Sequence, residues 1–379
     1  MDFELDQDHK MLRDSVRDFV TKEVRPLAID IDAKHRIPDE LLAKYAEMGF
    51  LGSYIPETYG GAGLDILSYA IVVEELSRAC ASSGVLVSAH TSLGCDPILH
   101  FGSEAQKKRW LPDLASGKKI GAILLTEPEA GSDVANIQST YRREGDEFVI
   151  DGNKVFITNG GFLGTGIVFA SRDRALKHKG LSAFIVDLSS KGVTALRNEE
   201  KLGIKGSYTT AFALDGLRVP ADALLGEEGK GFKIAMETLN GGRIGIAAQA
   251  LGIADGALER SIAYAKERKQ FGKPIADLQA IQFKIAEMAV RVETSRLLVY
   301  MAATRKEKGL PFSTDSAMAK LHAAETAVAV TREAVQIHGG NGYTVEYEVE
   351  RMYRDAKITE IYEGTSEVQK IVIARALLG

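Results

Sequence analysis

The chain has 379 residues, 45% of them hydrophobic and 26% charged, an ordinary soluble composition with room for two or three domains. A net charge of -5 argues against nucleic acid as the main partner, although the cluster Lys266–Lys269 suits a phosphate-bearing small molecule. The two cysteines, Cys80 and Cys95, match no common zinc or redox spacing, and no apolar run approaches the ~18 residues of a membrane span.

The N-terminus, MDFELDQDHKMLRDSV, is acidic and amphipathic, unlike a signal or transit peptide. Few cysteines and no leader point to the cytoplasm of a bacterium, or to the mitochondrial matrix for a processed eukaryotic chain. From Leu5 to about Ala115 the pattern is helical. Leu12, Val16, Phe19 and Val20 form one apolar stripe. Pro26 is expected to interrupt that run and Pro38 to start a new helix; Gly60–Gly63 is a loop, and Ile66–Ala79 is another helix.

Near Gly121 the texture changes. Short β-rich runs alternate with turn residues: Ile120–Leu125, Glu147–Ile150, Val155–Thr158, Ile167–Ser171, Phe184–Leu188 and Thr210–Leu217. Asp151-Gly152 reads as the tight turn between two of them. After Gly231 long helices return: Phe232–Glu267, with Gly241-Gly242 as its expected interruption, then Ile275–Lys308, Thr314–Ile337, a short Glu346–Asp355 segment and a final helix from Ser366. Helices, then strands, then helices make the class α+β, with an N-terminal helical domain (1–120), a middle β-barrel or sandwich (121–230) and a C-terminal helical bundle (231–379).

No G-x-G-x-x-G, P-loop or G-x-S-x-G motif is present, and none of the seven histidines sits in a metal-binding arrangement, so no metal is expected. Five loops remain. Leu125–Asp133 leaves a strand with Thr126 and Ser132 offering hydroxyls and Gly131 allowing close approach; from composition alone it is a plain β-turn. Val155–Gly161 reads as core strand plus turn, or as an aromatic and a hydroxyl covering a ring. In Gln336–Gly342, three glycines in four residues exceed what a helix C-cap needs. Lys266–Pro274 is a surface charge run, or a pyrophosphate clamp. Ile361–Gln369 contains Ser366 and Gln369 as a capping box, which places Glu363 in the loop before the last helix; it is a surface acid, or a partly desolvated base.

Taken together, the five loops resemble the acyl-CoA dehydrogenase family over essentially the whole chain. Leu-Thr-Glu-Pro-Glu-Ala-Gly-Ser-Asp (125–133) and Gln-Ile-His-Gly-Gly-Asn-Gly-Tyr (336–343) resemble its two signatures. The resemblance implies FAD as hydride acceptor, with residues 123–132 lining the flavin: Ile123, Leu125, Thr126, Gly131 and Ser132. Phe156, Ile157 and Thr158 would cover its ring, Phe156 standing where many relatives have Trp. Arg268, Phe271 and Gln279, with Gln336, Ile337, Gly339 and Gly340, would reach FAD across a subunit interface, and Thr365, Ser366 and Glu367 would also touch it. Ser132, Asn240, Arg243, Tyr362 and Gly364 would contact the acyl-CoA. Glu363 would be the base that removes the α-proton, giving a trans-2-enoyl-CoA. An electron-transferring flavoprotein would reoxidise the enzyme, and the assembly would be a homotetramer, a dimer of dimers.

The resemblance places 85–97 near the end of the acyl pocket. It contains no Arg to pair a second carboxylate, which disfavours a dicarboxylic substrate. Asp96 is read as a helix-end cap, or as a pocket-facing acid favouring a cyclic or unusual acyl group. A short straight acyl-CoA such as butyryl-CoA is the first choice. A branched or cyclic acyl-CoA, a flavin oxidase or monooxygenase, and a non-catalytic flavoprotein are the alternatives.

Overall fold

A computed structural model describes residues 4–379. Helix α1 (Gln7–Phe19) opens at Asp6, whose carboxylate accepts from His9 N, and buries Val16. A π-helical turn (Val20–Val24) and a 3-10 turn (Arg25–Leu27) lead into α2 (Ala28–Lys34). The expected interruption at Pro26 is therefore only a tightening: the proline lies in the 3-10 turn and the helical path continues. Helix α3 (Asp39–Glu47) follows Pro38 as expected. In α4 (Ile66–Ala79) every residue but Leu67 is buried, so this helix runs through the core. The stretch around 85–97 comprises α5 (Ala81–Ala89), a π-helical turn (His90–Cys95) and the start of α6 (Asp96–Phe101). Helix α7 (Glu104–Ala115) closes the first segment behind a Ser103–Gln106 capping box.

The middle segment contains β1 (Gly121–Leu124), β2 (Thr140–Glu144), β3 (Glu147–Thr158), β4 (Thr165–Ser171), β5 (Leu181–Asp187), β6 (Val193–Asn198), β7 (Thr209–Pro220) and β8 (Leu224–Leu225). They form one sheet in the order β6-β7-β3-β2-β4-β5-β8, with β1 parallel to β4. The sheet curls round its own apolar core, where the rings of Tyr141, Phe148 and Phe184 pack edge-on or tilted with centroids 5.0–5.7 Å apart. Its end strands β6 and β8 do not pair with each other, so it is a curled open sheet rather than a closed barrel.

Two details differ from the sequence reading. Residues 147–158 are one strand: at Gly152 the register against β7 shifts, and a Cβ there would collide with Ser139, so the glycine serves a bulge. The hairpin turn is instead Gly145-Asp146, between β2 and β3. Strands β2 and β6 escaped the sequence reading because most of their side chains are solvated, leaving no alternation of apolar and polar positions.

The last segment is built on α8 (Gly231–Glu267), a helix of 37 residues that runs unbroken through Gly241-Gly242. The small strands β9 (Lys269–Gln270) and β10 (Lys273–Pro274) form a hairpin, followed by α9 (Gln279–Glu307), α10 (Ser313–His338), α11 (Glu348–Ala356) and α12 (Ser366–Leu378). Helix α8 packs between α4 and α10. Charged groups reinforce that packing. Glu75 of α4 takes Arg17 of α1 at 2.6 Å, and Glu74 takes Arg296 of α9 at 3.2 Å and the Tyr300 hydroxyl at 2.7 Å. Burial raises the Glu74 pKa to about 7.

The middle segment is tied to both helical ones. Asn159 donates to the Leu86 carbonyl at 3.1 Å, and Asp355 accepts from Ile204 N at 2.5 Å. Cys80 and Cys95 are free and buried. Among the described residues no helix is long and apolar enough to cross a membrane.

One buried ion pair holds the loop after β1. Lys154 of β3 is fully buried and gives its ammonium to Glu127 at 2.6 Å and to the Phe169 carbonyl at 2.6 Å. Glu127 also accepts from Ser139 N at 3.1 Å and from Gln138 N. Burial lowers the Lys154 pKa to about 8, against the pull of Glu127. Lys154→Met strands a buried carboxylate, and should cost about 3–5 kcal/mol. The Lys154→Met/Glu127→Leu double variant should lose less than Lys154→Met alone. Thermal unfolding of the three proteins measures this.

Candidate active site

The loop between α11 and α12 carries the most unusual acid in the chain. Glu363 adopts φ 52, the left-handed region that L side chains avoid, and Gly364 follows at φ 93. The turn is held from outside. Gln369 of α12 donates its amide to the Glu363 carbonyl at 3.3 Å and the Gly364 carbonyl at 2.9 Å, while Lys320 of α10 donates to the Gly364 carbonyl at 2.7 Å. The expected Ser366–Gln369 capping box is not formed. Thr365 is the N-cap, its hydroxyl accepting from Val368 N at 3.3 Å, and this shift of one residue frees Gln369 to clamp the turn.

This strained turn aims the Glu363 side chain at α8. A Cβ on Gly242 would collide with Glu363 Oε2 and lie 3.0 Å from Leu93 Cδ2, so the unbroken glycine pair gives the carboxylate its room. Some of the residue's surface is exposed, but Oε2 is buried and has no hydrogen-bond partner. Burial raises the Glu363 pKa to about 7, with Lys320 and Arg243 opposing the rise. Burial in turn lowers Lys320 to about 8 and pushes Arg243 down. An acid near neutrality with an unpartnered oxygen against a glycine face is equipped to take a proton.

The neighbouring candidates divide. Arg243 donates to Asn240 Oδ1 at 2.8 Å and keeps a buried, unpartnered Nε; Ser313 also donates to Asn240 Oδ1, at 3.1 Å. The Tyr362 hydroxyl is committed to Gln249 of α8. Asn240 lines a cavity of about 440 Å³ together with Asp96, Lys306, Glu307 and Phe312. Asp96 is not the expected helix-end cap: its carboxylate pairs with Lys306 of α9 at 3.2 Å and lines that cavity.

The residues expected to meet a flavin form two groups. In the first, the Thr126 carbonyl accepts from Val155 N at 3.0 Å, which sets the 125–133 loop beside Phe156–Thr158. Gly131 and Ser132 are exposed, and a Cβ on Gly131 would meet nothing within 4 Å. Phe156, at φ 58, is 61% exposed, as an aromatic waiting for a flat partner would be. Ile157 does not cover a ring with its side chain, which alternates inward to the core of the sheet; Leu125 is likewise buried, and Ile123 is partly buried.

In the second group Tyr264 of α8 stacks on His338 of α10 at 4.2 Å, which brings Arg268 and Phe271 to the same end of the bundle as Gln336–Gly340. Phe271 is 91% exposed; Arg268, Gln279, Gln336, Gly339 and Gly340 are exposed, and Ile337 is buried in the core. Thr365 is occupied as a cap, Ser366 Oγ is buried without a partner, and Glu367 is exposed. Open glycines, an exposed aromatic and orphaned hydroxyl and guanidinium donors fit a large planar, phosphate-bearing cofactor. Among the described residues no group of three or more His, Cys, Asp or Glu could hold a metal ion.

Sequence reasoning missed Lys320, Lys306, Gly242 and Gln369. Lys320 had a readable signal, a lone cation in the apolar stripe with Ala317 and Ala324. The other three had none, since their roles depend on what packs against them.

The chain matches the acyl-CoA dehydrogenase N-terminal domain over residues 6–118, the middle domain over 122–217 and the C-terminal domain over 229–378. It is 52% identical over 374 residues to the short-chain specific acyl-CoA dehydrogenase of Clostridium acetobutylicum, covering 99% of each chain. The structure of butyryl-CoA dehydrogenase from Megasphaera elsdenii superimposes over 100% of both chains with a TM-score of 0.98 and 46% identity. An acyl-CoA dehydrogenase from Bacillus anthracis complexed with FAD matches at 37% identity and TM-score 0.93, over 99% of this chain and 67% of the other. With all three domains matched in order and half the residues identical to a full-length relative, the chain belongs to the acyl-CoA dehydrogenase family.

Proposed function

We propose that the protein dehydrogenates a short, straight acyl-CoA thioester such as butyryl-CoA to the trans-2-enoyl-CoA, with Glu363 as the base. The observation that carries this reading is the buried, unpartnered Oε2 of Glu363, on a clamped left-handed turn and with a pKa raised to about 7. Similarity to a short-chain specific enzyme and to butyryl-CoA dehydrogenase supports the substrate class. FAD is the cofactor, and when bound it supplies the acceptor for the β-hydride.

The chain's own residues do the rest. The Glu363 carboxylate takes the α-proton; the electron pair left on the α-carbon closes the double bond as the β-hydride departs. The Glu363 N–H, fixed by the Gln369 and Lys320 clamps, is offered to the thioester oxygen, where negative charge develops. Arg243 and Lys320 keep the base ionisable at neutral pH despite its burial. Asn240, Arg243, Ser132 and Gly364 are assigned to the acyl-CoA. Thr126, Gly131, Phe156, Thr158, Ser366 and Glu367 are assigned to the flavin, with the main chain of Ile123, Leu125, Ile157 and Thr365.

An apolar stripe on α9, Phe283, Val290, Leu297 and Met301, is exposed at helical spacing, and Phe271 and Tyr343 stand out beyond it. A second copy of the chain, in a homotetramer, would cover such a stripe and bring Arg268, Phe271, Gln279, Gln336 and Gly339-Gly340 to its neighbour's cofactor. An electron-transferring flavoprotein is assigned as oxidant, and a reducing compartment, the bacterial cytoplasm, as the setting, in keeping with two free cysteines.

Adding butyryl-CoA anaerobically to the yellow protein should bleach its flavin band; persistence of the band would move the substrate to branched or cyclic acyl-CoAs. Glu363→Gln should retain FAD and lose turnover by about three orders of magnitude or more. Turnover near that of the unmodified enzyme would exclude Glu363 as the base. Because the base must be ionised, kcat/KM should fall as pH drops through about 7. Between pH 8 and pH 6 the loss should be on the order of tenfold. Lys320→Met, which removes a cation that favours the carboxylate, should move this acid limb to higher pH. Light scattering should give the mass of a tetramer, and Val290→Asp/Leu297→Asp should lower it.

A further inference from the structure

Gly241 and Gly242 of α8 each make room for a charged group from another element. Gly242 faces the Glu363 carboxylate; a Cβ on Gly241 would lie 2.7 Å from Lys306 Nζ and 3.9 Å from Asp96 Oδ2. The same helical path that puts Leu93 beside Gly242 puts Asp96, one turn on, beside Gly241. The Glu363 carboxylate and the ion pair therefore abut neighbouring residues of α8, Leu93 standing beside the first and Asp96 beside the second.

The pair is firmly built. Asp96 and Lys306 are 7% and 12% exposed and 3.2 Å apart, and the ammonium lies 5.4 Å from the centre of the Tyr54 ring. His100 Nδ1 stands 3.5 Å from the same carboxylate oxygen. Tyr54 is itself fixed, its hydroxyl donating to the Thr91 carbonyl at 3.2 Å and its ring set edge-on to Tyr69 at 5.2 Å. The cavity of about 440 Å³ borders this pair; Leu64, Ile66, Leu99 and Phe312 line one part of it, and His100, Glu237, Asn240 and Glu307 another.

We propose that the Asp96–Lys306 ion pair is the floor of the acyl pocket and sets its chain-length limit, closing off the adjoining cavity. The proposal rests on the reading of the Glu363 pocket as an acyl-CoA site. A methylene chain pushed against a buried ion pair makes no favourable contact with it and would have to separate two largely buried charges. The chain stops there for an energetic reason, although space exists beyond. Pairing also means that Asp96 offers no free carboxylate to a cationic acyl group.

The test uses S-alkyl thioethers of coenzyme A, which lack the carbonyl that acidifies the α-hydrogens and so report binding without turnover. Calorimetry on the FAD-loaded enzyme should show affinity rising from S-ethyl to S-butyl and rising no further by S-octyl. In Asp96→Ala/Lys306→Met, which removes both charges and opens space, the S-octyl to S-butyl affinity ratio should rise roughly tenfold or more, the worth of two or more newly buried methylenes. Affinity that climbs steadily to S-octyl in the unmodified enzyme would overturn the floor. So would an unchanged ratio in a double variant that unfolds cooperatively. Absence of binding by every thioether would overturn both this proposal and the acyl-CoA reading. Length-limited binding without butyryl-CoA turnover would uphold the floor and sink only the assigned chemistry.

Discussion

The close contact of Glu363 with the glycine face of α8 is the constraint around which the rest of the site is arranged. The carboxylate reaches α8 only because Gly242 carries no side chain, and it points there only because the main chain at Glu363 and Gly364 is left-handed. A conformation of that kind costs about 1–3 kcal/mol and persists where its surroundings over-determine it. Here the surroundings are Gln369 from the following helix and Lys320 from α10, which hold the two carbonyls of the turn. The same lysine that clamps the backbone also acts on the charge of the Glu363 carboxylate, so geometry and acidity are linked through one residue.

Rigidity behind the site comes from the way α8 is gripped. It lies between α4, which is buried almost all round, and α10, whose face is mostly small. Ion pairs from α1 and α9 reach the buried carboxylates of α4, and Asp255 of α8 meets Arg296 at 3.3 Å, so these four helices share one charged network. Such pairs add little net stability when buried, but breaking one leaves an uncompensated charge, and this penalises alternative packings. The curled sheet contributes differently. Its Glu127–Lys154 pair fixes one loop while Phe156, just along the same strand, is left exposed. Order and openness are two residues apart.

Much of the architecture was legible because it rests on local rules. The α, β, α order follows from a change in hydrophobic period, and Ile66–Ala79 matches the reading to the residue, with Asp65 capping its start. The errors have equally local causes. Gly241-Gly242 was read as a break because glycine weakens an isolated helix by about 1 kcal/mol per residue; packing against α4 and α10 outweighs that, and the glycines serve their neighbours instead. Asp151-Gly152 matches a turn in composition but supplies a bulge, and the solvated strands β2 and β6 gave no pattern to read.

By itself the sequence determined the class and the order of the three segments, since both are written in residue type and short-range spacing, and it singled out the loop of Glu363 as a candidate. Only the tertiary structure decided that Glu363 is desolvated with a free oxygen, that Gln369 clamps a turn instead of closing a capping box, and that Asp96 is neutralised by a lysine 210 positions away. These depend on which groups meet across α8, α9, α10 and α12. A pKa or an ion pair is set by neighbours in space, and no period or motif along the chain records them.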